Sequence, residues 1–319
     1  MKGIVFGASG FIGSHVAEQL KKDGYEVHAI VRDNSDTTFL DSLDIKIIKV
    51  DFQKSVIFGK KESRMLSDAI IYNCIAYKSD QATLEGYREI EIDLTKKIIN
   101  ESWAANAKKY VQLSSIVAYG IRIPEYPIDE TYQPRPQELI EISALEREQC
   151  VERECNRLGF DFVILEPVTA IGIRDNGSFF TKMLDAYHRN QFPLIGGGKA
   201  KFSALDVRDI GKAMAWIGKS DSAINNRKYL LKGYDISWFD LKSEFDNVFN
   251  RSAKAKYLPI WLAKSLAFLL EKTTKKPKFN RLSAYALSSD RIYDDSRIKK
   301  AGFQALYNFN DSIRAIAKS

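Results

Sequence analysis

The chain begins Met1-Lys2-Gly3-Ile4-Val5-Phe6-Gly7-Ala8-Ser9-Gly10-Phe11-Ile12-Gly13. The position of the last three glycines decides the fold. Gly3 to Phe6 is a short apolar run suited to a buried strand, and Met1 to Phe6 reads as a first strand and not as a signal peptide. From Phe11 the period changes. Ile12, Val16 and Leu20 fall on one face of a helix, and Gly24 closes it. Gly7-x-x-Gly10-x-x-Gly13 therefore lies between a strand and a helix. In that setting the first glycine permits a tight turn and the second lets backbone amides approach a pyrophosphate. The third lets the helix pack closely on the strand. The helix N-terminus adds partial positive charge toward the phosphates. The expected ligand is a dinucleotide held at Gly7, Ser9, Gly10, Phe11, Ile12 and Gly13. The competing reading is a turn kept tight for packing alone.

Outward from this loop the pattern repeats. Val27–Val31, Ile45–Val50, Ile70–Ile75, Tyr110–Ser114 and Phe162–Leu165 read as strands alternating with helical stretches, and Pro167 stops the series. Such alternation implies an α/β fold, a doubly wound parallel sheet covered on both faces. Asp209–Trp216 and Tyr229–Leu231 read as a return to that sheet. The expected organisation is a dinucleotide-binding domain over residues 1–165, rejoined by 200–232. A smaller, mostly helical C-terminal lobe for substrate covers 166–199 and 233–292, with a terminal segment at 293–319.

The tip of the second strand reads Ala29-Ile30-Val31-Arg32-Asp33. An acidic side chain at such a tip holds the adenosine ribose hydroxyls of NAD, whereas an arginine can pair with the 2′-phosphate of NADP. Arg32 favours NADP, and Asp33 keeps NAD open.

Composition removes several other classes. In 319 residues, 45% are apolar and 28% charged, ordinary for a globular chain. Three cysteines (Cys74, Cys150, Cys155) cannot build a disulfide framework and suit a reducing compartment. Three scattered histidines (His15, His28, His188) argue against a metal site. The net charge of +7 suits polyanionic partners or a lysine-rich solvated surface. Nucleic acid is not expected, because the interleaved aromatic and basic residues of known modules are missing. The longest apolar run, Leu258 to Ala263 continued by Leu266 to Leu270, is shorter than the ~18–20 residues of a membrane span. A soluble, cytoplasmic protein is expected.

Further segments match a known pattern in order. They are Asp51-Phe52 after the third strand, Asn73-Cys74-Ile75-Ala76 after the fourth, and Leu113-Ser114-Ser115-Ile116-Val117-Ala118-Tyr119-Gly120 after the fifth. Leu165-Glu166-Pro167, Leu205 to Ile210, and Tyr293-Asp294 through Ala301-Gly302-Phe303 complete the series. Nearly the whole chain thus resembles the extended short-chain dehydrogenases/reductases, the NAD(P)-dependent epimerase/dehydratase group. The resemblance implies that Asp51 and Phe52 lie near the adenine, and that Ala76 ends a strand running beside the cofactor. It also implies that Ser115 supplies the catalytic hydroxyl and that Pro167 turns over the nicotinamide, where the family more often has Arg-Pro. A small carbonyl compound or nucleotide-sugar is the implied substrate, and a homodimer is common in the group.

One departure is large. The family's chemistry uses a Tyr-x-x-x-Lys pair about 25 residues past the serine, on one helix face. The register of Ser143 and Glu148 puts Ile140 and Ala144 at those positions, and the chain contains no Tyr-x-x-x-Lys. Neither side chain transfers protons. Tyr119, Tyr126, Asp129, Glu130 and Tyr132 are the available substitutes. Ile116-Val117 also replace the Asp-Glu pair of the family's dehydratases, which disfavours water elimination. Two functional readings remain: an NADP(H)-binding atypical enzyme, or a non-catalytic cofactor sensor, assembly factor or scaffold.

Three features stand outside this reading. Ile260 to Leu270, followed by Lys272, Lys275, Lys276 and Lys278, suits a core or interface helix; a basic flank on an apolar helix can also attract anionic lipid, but membrane contact is not expected. Phe192 to Lys199, with Gly196, Gly197 and Gly198, suits a phosphate loop or a flexible turn. Arg174 is an anion contact or a surface charge.

Overall fold

The computed structural model describes residues 1–59, 62–77, 82–123, 127–175, 177–274 and 279–318. Its strands, in chain order, are β1 (Lys2–Phe6), β2 (Glu26–Arg32), β3 (Lys46–Val50), β4 (Ala69–Asn73), β5 (Lys109–Leu113) and β6 (Phe162–Pro167). Then come β7 (Thr169–Ile171), β8 (Phe192–Ile195), β9 (Lys201–Asp206), β10 (Arg227–Leu231), β11 (Tyr234–Ser237) and β12 (Ala255–Leu258). Helices of eight or more residues begin with α1 (Phe11–Lys22), α2 (Leu94–Ala104), α3 (Leu139–Leu158), α4 (Phe179–His188) and α5 (Val207–Lys219). The remainder are α6 (Trp238–Val248), α7 (Ile260–Thr273), α8 (Arg281–Ser288) and α9 (Phe309–Ala317).

The main sheet has seven strands in the order β3-β2-β1-β4-β5-β6-β10. Every pairing in it is parallel. Parallel strands need both faces covered, and two cores do this. One packs Val16, Leu20, Ile210 and Met214 onto the sheet, the other Leu94, Ile98, Val151 and Cys155. The order reverses at β1, with β2 on one side and β4 on the other. This is the switch point at which doubly wound sheets open a ligand crevice.

The returning segment differs from the expectation. Residues 200–232 do not re-enter the main sheet together. β9 joins a separate sheet, β11-β9-β7, and only β10 pairs with β6. Asp209–Trp216 lies inside α5, because Val207, Ile210, Met214 and Ile217 are buried at helical spacing. α5 crosses α1 closely, and a Cβ on Gly211 would stand 2.6 Å from the His15 carbonyl oxygen.

The second lobe is helical but contains two small sheets, β11-β9-β7 and β12-β8, that periodicity did not reveal. Its core is aromatic. Phe202 stacks on Trp238 at 4.1 Å, and Phe245 meets Phe180 at 5.8 Å. Among the described residues no helix is long and apolar enough to cross a membrane. Tyr126, Lys275, Lys276 and Lys278 lie outside the described residues.

Candidate functional site

The glycine loop hangs from the carboxyl ends of three strands. Gly7 N–H donates to the Ile30 carbonyl at the end of β2 (3.1 Å), and Cys74 N–H donates to the Phe6 carbonyl at the end of β1 (3.0 Å). Gly7 sits at φ +72°, where a side chain is strained. A Cβ on Gly13 would stand 2.1 Å from the Gly7 carbonyl oxygen, so α1 can approach β1 only with glycine there. Gly10 is different. It is exposed, and a Cβ on it would meet only the Gly7 carbonyl oxygen, at 3.2 Å. Gly10 also precedes α1, and no side chain caps that helix. The amides of Phe11, Ile12 and Gly13 therefore have no acceptor within the helix. Open space in front of an uncapped helix end, with half-buried Ser9 beside it, fits a pyrophosphate.

The surroundings extend this cradle. Arg32 and Asp33 are both exposed at the tip of β2, and among the described residues Arg32 has no ion-pair partner. Asp51 is exposed and accepts from the Gln53 amide (2.9 Å). Half-buried Phe52 packs on Phe6 with ring centroids 6.4 Å apart. Past β4 the Asn73 carboxamide accepts from Ile75 N–H (3.1 Å) and fixes the turn that leaves Ala76 exposed. Pro167 is buried at the end of β6, next to Leu231. Arg174 takes another course. Its guanidinium lies over the Phe39 ring at 3.8 Å and donates to Ser14 Oγ, His15 Nδ1 and Glu18 Oε2. Those contacts tie it to α1.

Beyond β5, Ser115 is half-buried, and its Oγ caps the turn Ile116–Tyr119 by accepting from Val117 N–H (3.4 Å). Its neighbour Ser114 points into a buried polar chain. Ser114 Oγ donates to Glu148 Oε1 (2.5 Å), and Lys228 Nζ donates to Glu148 Oε2 (3.3 Å). Lys228 also stands 3.4 Å from Glu166, to which Tyr119 donates its hydroxyl (2.8 Å). Burial first, then the Glu148 charge, pushes the Glu166 carboxyl well above the ordinary range. Burial opposes the Lys228 ammonium, but Glu166 and Glu148 outweigh it and raise its pKa.

The family model described as NAD dependent epimerase/dehydratase family matches residues 4–231. The chain belongs to that family. A Synechocystis protein provisionally named dihydroflavonol 4-reductase is 25% identical over 279 residues, covering 84% of this chain and 78% of its own. Sterol demethylase protein B of Methylococcus capsulatus is 23% identical over 320 residues, covering 94% and 92%. Among solved structures, UDP-glucuronic acid 4-epimerase from Bacillus cereus, in complex with NAD, superposes with a TM-score of 0.79. It has 18% identity and covers 100% of this chain and 98% of its own.

The cation facing Glu166 in this buried chain is Lys228 on β10, a partner no local motif announces. The same chain removes Tyr119 from the list of substitute acids. Its side chain is fully buried and its hydroxyl donates a hydrogen bond to Glu166, while burial and that carboxyl raise its pKa. Glu130 is buried too, accepting from Leu230 N–H (2.8 Å) and facing Arg297. Asp129 caps Thr131 (2.9 Å). The Tyr132 hydroxyl is buried, with its ring 6.4 Å from Tyr119.

On α3, Ile140 is 45% exposed and Ala144 is buried. One turn beyond Ala144, buried Arg147 pairs with Glu91 and donates to the Ile75 carbonyl (3.3 Å). Glu91 in turn accepts from Tyr77 N–H (2.8 Å). This cationic link between α3 and the end of β4 was not read from the sequence. At the second lobe's glycine run, Gly196, Gly197 and Gly198 all have φ between +58° and +75°. A Cβ on Gly198 would stand 2.5 Å from Leu194, which favours a turn built for conformation and packing.

Proposed function

We propose that the chain binds NADP(H), with NAD(H) as the weaker alternative, at the carboxyl ends of β1, β2 and β4. It acts there as an atypical reductase or epimerase on a small carbonyl or hydroxyl compound, nucleotide-sugars included. The observation that carries this reading is the uncapped α1 terminus behind a loop that tolerates only glycine at Gly13. Gly7, Ser9, Gly10, Phe11, Ile12 and Gly13 would hold the pyrophosphate, and Arg32 the 2′-phosphate. Asp51 and Phe52 would border the adenine, with Ala76 and Pro167 bordering the nicotinamide. The bound cofactor would supply or accept hydride, and Ser115 would hydrogen-bond the substrate oxygen. The reductase name of the Synechocystis relative and the NAD of the Bacillus structure support the class.

Ile140 and Ala144 favour a second reading, a family member that binds cofactor without turnover. A missing positioned acid–base group lowers rate by about 10²–10⁴-fold. The three free cysteines support a cytoplasmic location for either form.

Titration of purified protein with NADPH and NADH, followed by nicotinamide fluorescence and calorimetry, tests the proposal. Micromolar NADPH binding that weakens at least tenfold in Arg32→Ser, with NADH less affected, supports it. Absence of binding for both cofactors up to millimolar concentration refutes it. In a carbonyl screen, turnover only in Ile140→Tyr/Ala144→Lys selects the second reading.

A further inference from the structure

Helix α7 is packed the wrong way round for a helix of a water-soluble surface. Its buried residues are Ala263 and Ala267. Its large apolar side chains point outward: Trp261 is 69% exposed, Leu269 58% and Phe268 49%, with Leu262 and Leu266 at 38% each. At about 100° per residue these five spread over about 160° on the side away from the two alanines, with exposed Ser265 and Lys272 among them. Tyr257, at the end of β12, is 65% exposed and extends the patch. Scattered apolar side chains on a surface need no explanation, but a cluster of large ones on a single helix marks a contact.

The charge around the patch selects its occupant. Over residues 253–274 there are four lysines (Lys254, Lys256, Lys264, Lys272) against the single acid Glu271. All four lysines are exposed, and Glu271 is ion-paired with Arg281 on α8. A second copy docked face to face would bring these cations against their own images. Anionic headgroups would instead neutralise them while the apolar arc enters the acyl boundary. Tryptophan in that arc suits the headgroup level. The 14 residues of α7 extend about 21 Å, so the helix would lie flat and not cross the ~30 Å core.

We propose that α7 and the end of β12 form a docking surface for an anionic lipid bilayer. The test is flotation of the full chain with phosphatidylcholine vesicles, with and without phosphatidylglycerol. It is run at about 0.1 M and about 1 M salt, where the screening length falls from about 10 Å to about 3 Å. Wild type is expected to float with the anionic vesicles at low salt only. Trp261→Ser/Phe268→Ser/Leu269→Ser and, separately, Lys256→Glu/Lys264→Glu should each reduce that fraction at least tenfold. The affected side chains are exposed, and an unchanged thermal midpoint checks that both variants fold. Wild type that stays with free protein, or binds neutral and anionic vesicles equally, overturns the proposal. So does a sedimenting dimer that the triple variant dissociates, because a second copy then covers the face.

Discussion

Arg174 fixes the proton on His15. Its Nη2 donates to His15 Nδ1 (2.7 Å), so Nε2 carries the hydrogen and donates to the Ile173 carbonyl (3.1 Å). Burial, and then the Arg174 charge, lower the imidazole pKa from 6.5 to about 4. Between those values the unfolded chain holds the extra proton, so stability falls as pH drops through that window. The contribution at stake is on the order of 3 kcal/mol. Urea unfolding at several pH values from neutral to about 4 should show wild type losing more stability than His15→Gln, whose amide can keep both bonds. Glu166 acts in the opposite sense. Its raised pKa keeps the proton in the folded state, so its contribution declines as pH rises above 4.5. None of this was legible in the sequence. Arg174 meets His15 across 159 residues, and a lone arginine after a glycine carries no sign of its partner.

At the scale of elements, what was local was readable. β1, the glycine loop and α1 follow from a change of period within a dozen residues, and the structure builds them together. Two changes in this unit separate folding from binding. Gly13→Ala places a methyl 2.1 Å from the Gly7 carbonyl, so α1 must retreat. The expected cost is about 1–3 kcal/mol, together with loss of NADPH binding. Gly10→Ala meets only that carbonyl at 3.2 Å and should unfold near the wild-type denaturant midpoint, yet bind NADPH at least tenfold more weakly. Equal destabilisation by both substitutions would contradict the division of roles. Elsewhere, short apolar runs misled. Asp209–Trp216 has the length of a strand, and only burial at every third or fourth position identifies α5. The strands β7, β8 and β11 are three or four residues long, too short for alternation to register.

Over the whole molecule, β10 does more than widen the sheet. Lys228 joins α3 through Glu148 and β6 through Glu166, and its ammonium stands 5.0 Å from the Tyr119 ring centre. Lys228→Met would leave two buried carboxyl groups without their cation. Removing one partner of a buried pair costs about 3–5 kcal/mol. Guanidinium unfolding should show a loss of that size, only partly recovered in Lys228→Met/Glu166→Gln, because Glu148 still lacks its cation. The sequence displayed both acids in family positions, but nothing near them indicated a lysine from the far edge of the sheet. That separation also has a meaning in time. Lys228 leaves the ribosome 80 residues after Glu148, about 4–16 s later at ordinary elongation speeds. Until then the nascent protein holds six strands' worth of parallel sheet, β1 to β6, with Glu148 and Glu166 lacking Lys228. Closure of the domain therefore waits on translation of its last strand, and a message interrupted before β10 would yield a chain unable to hide its own charge.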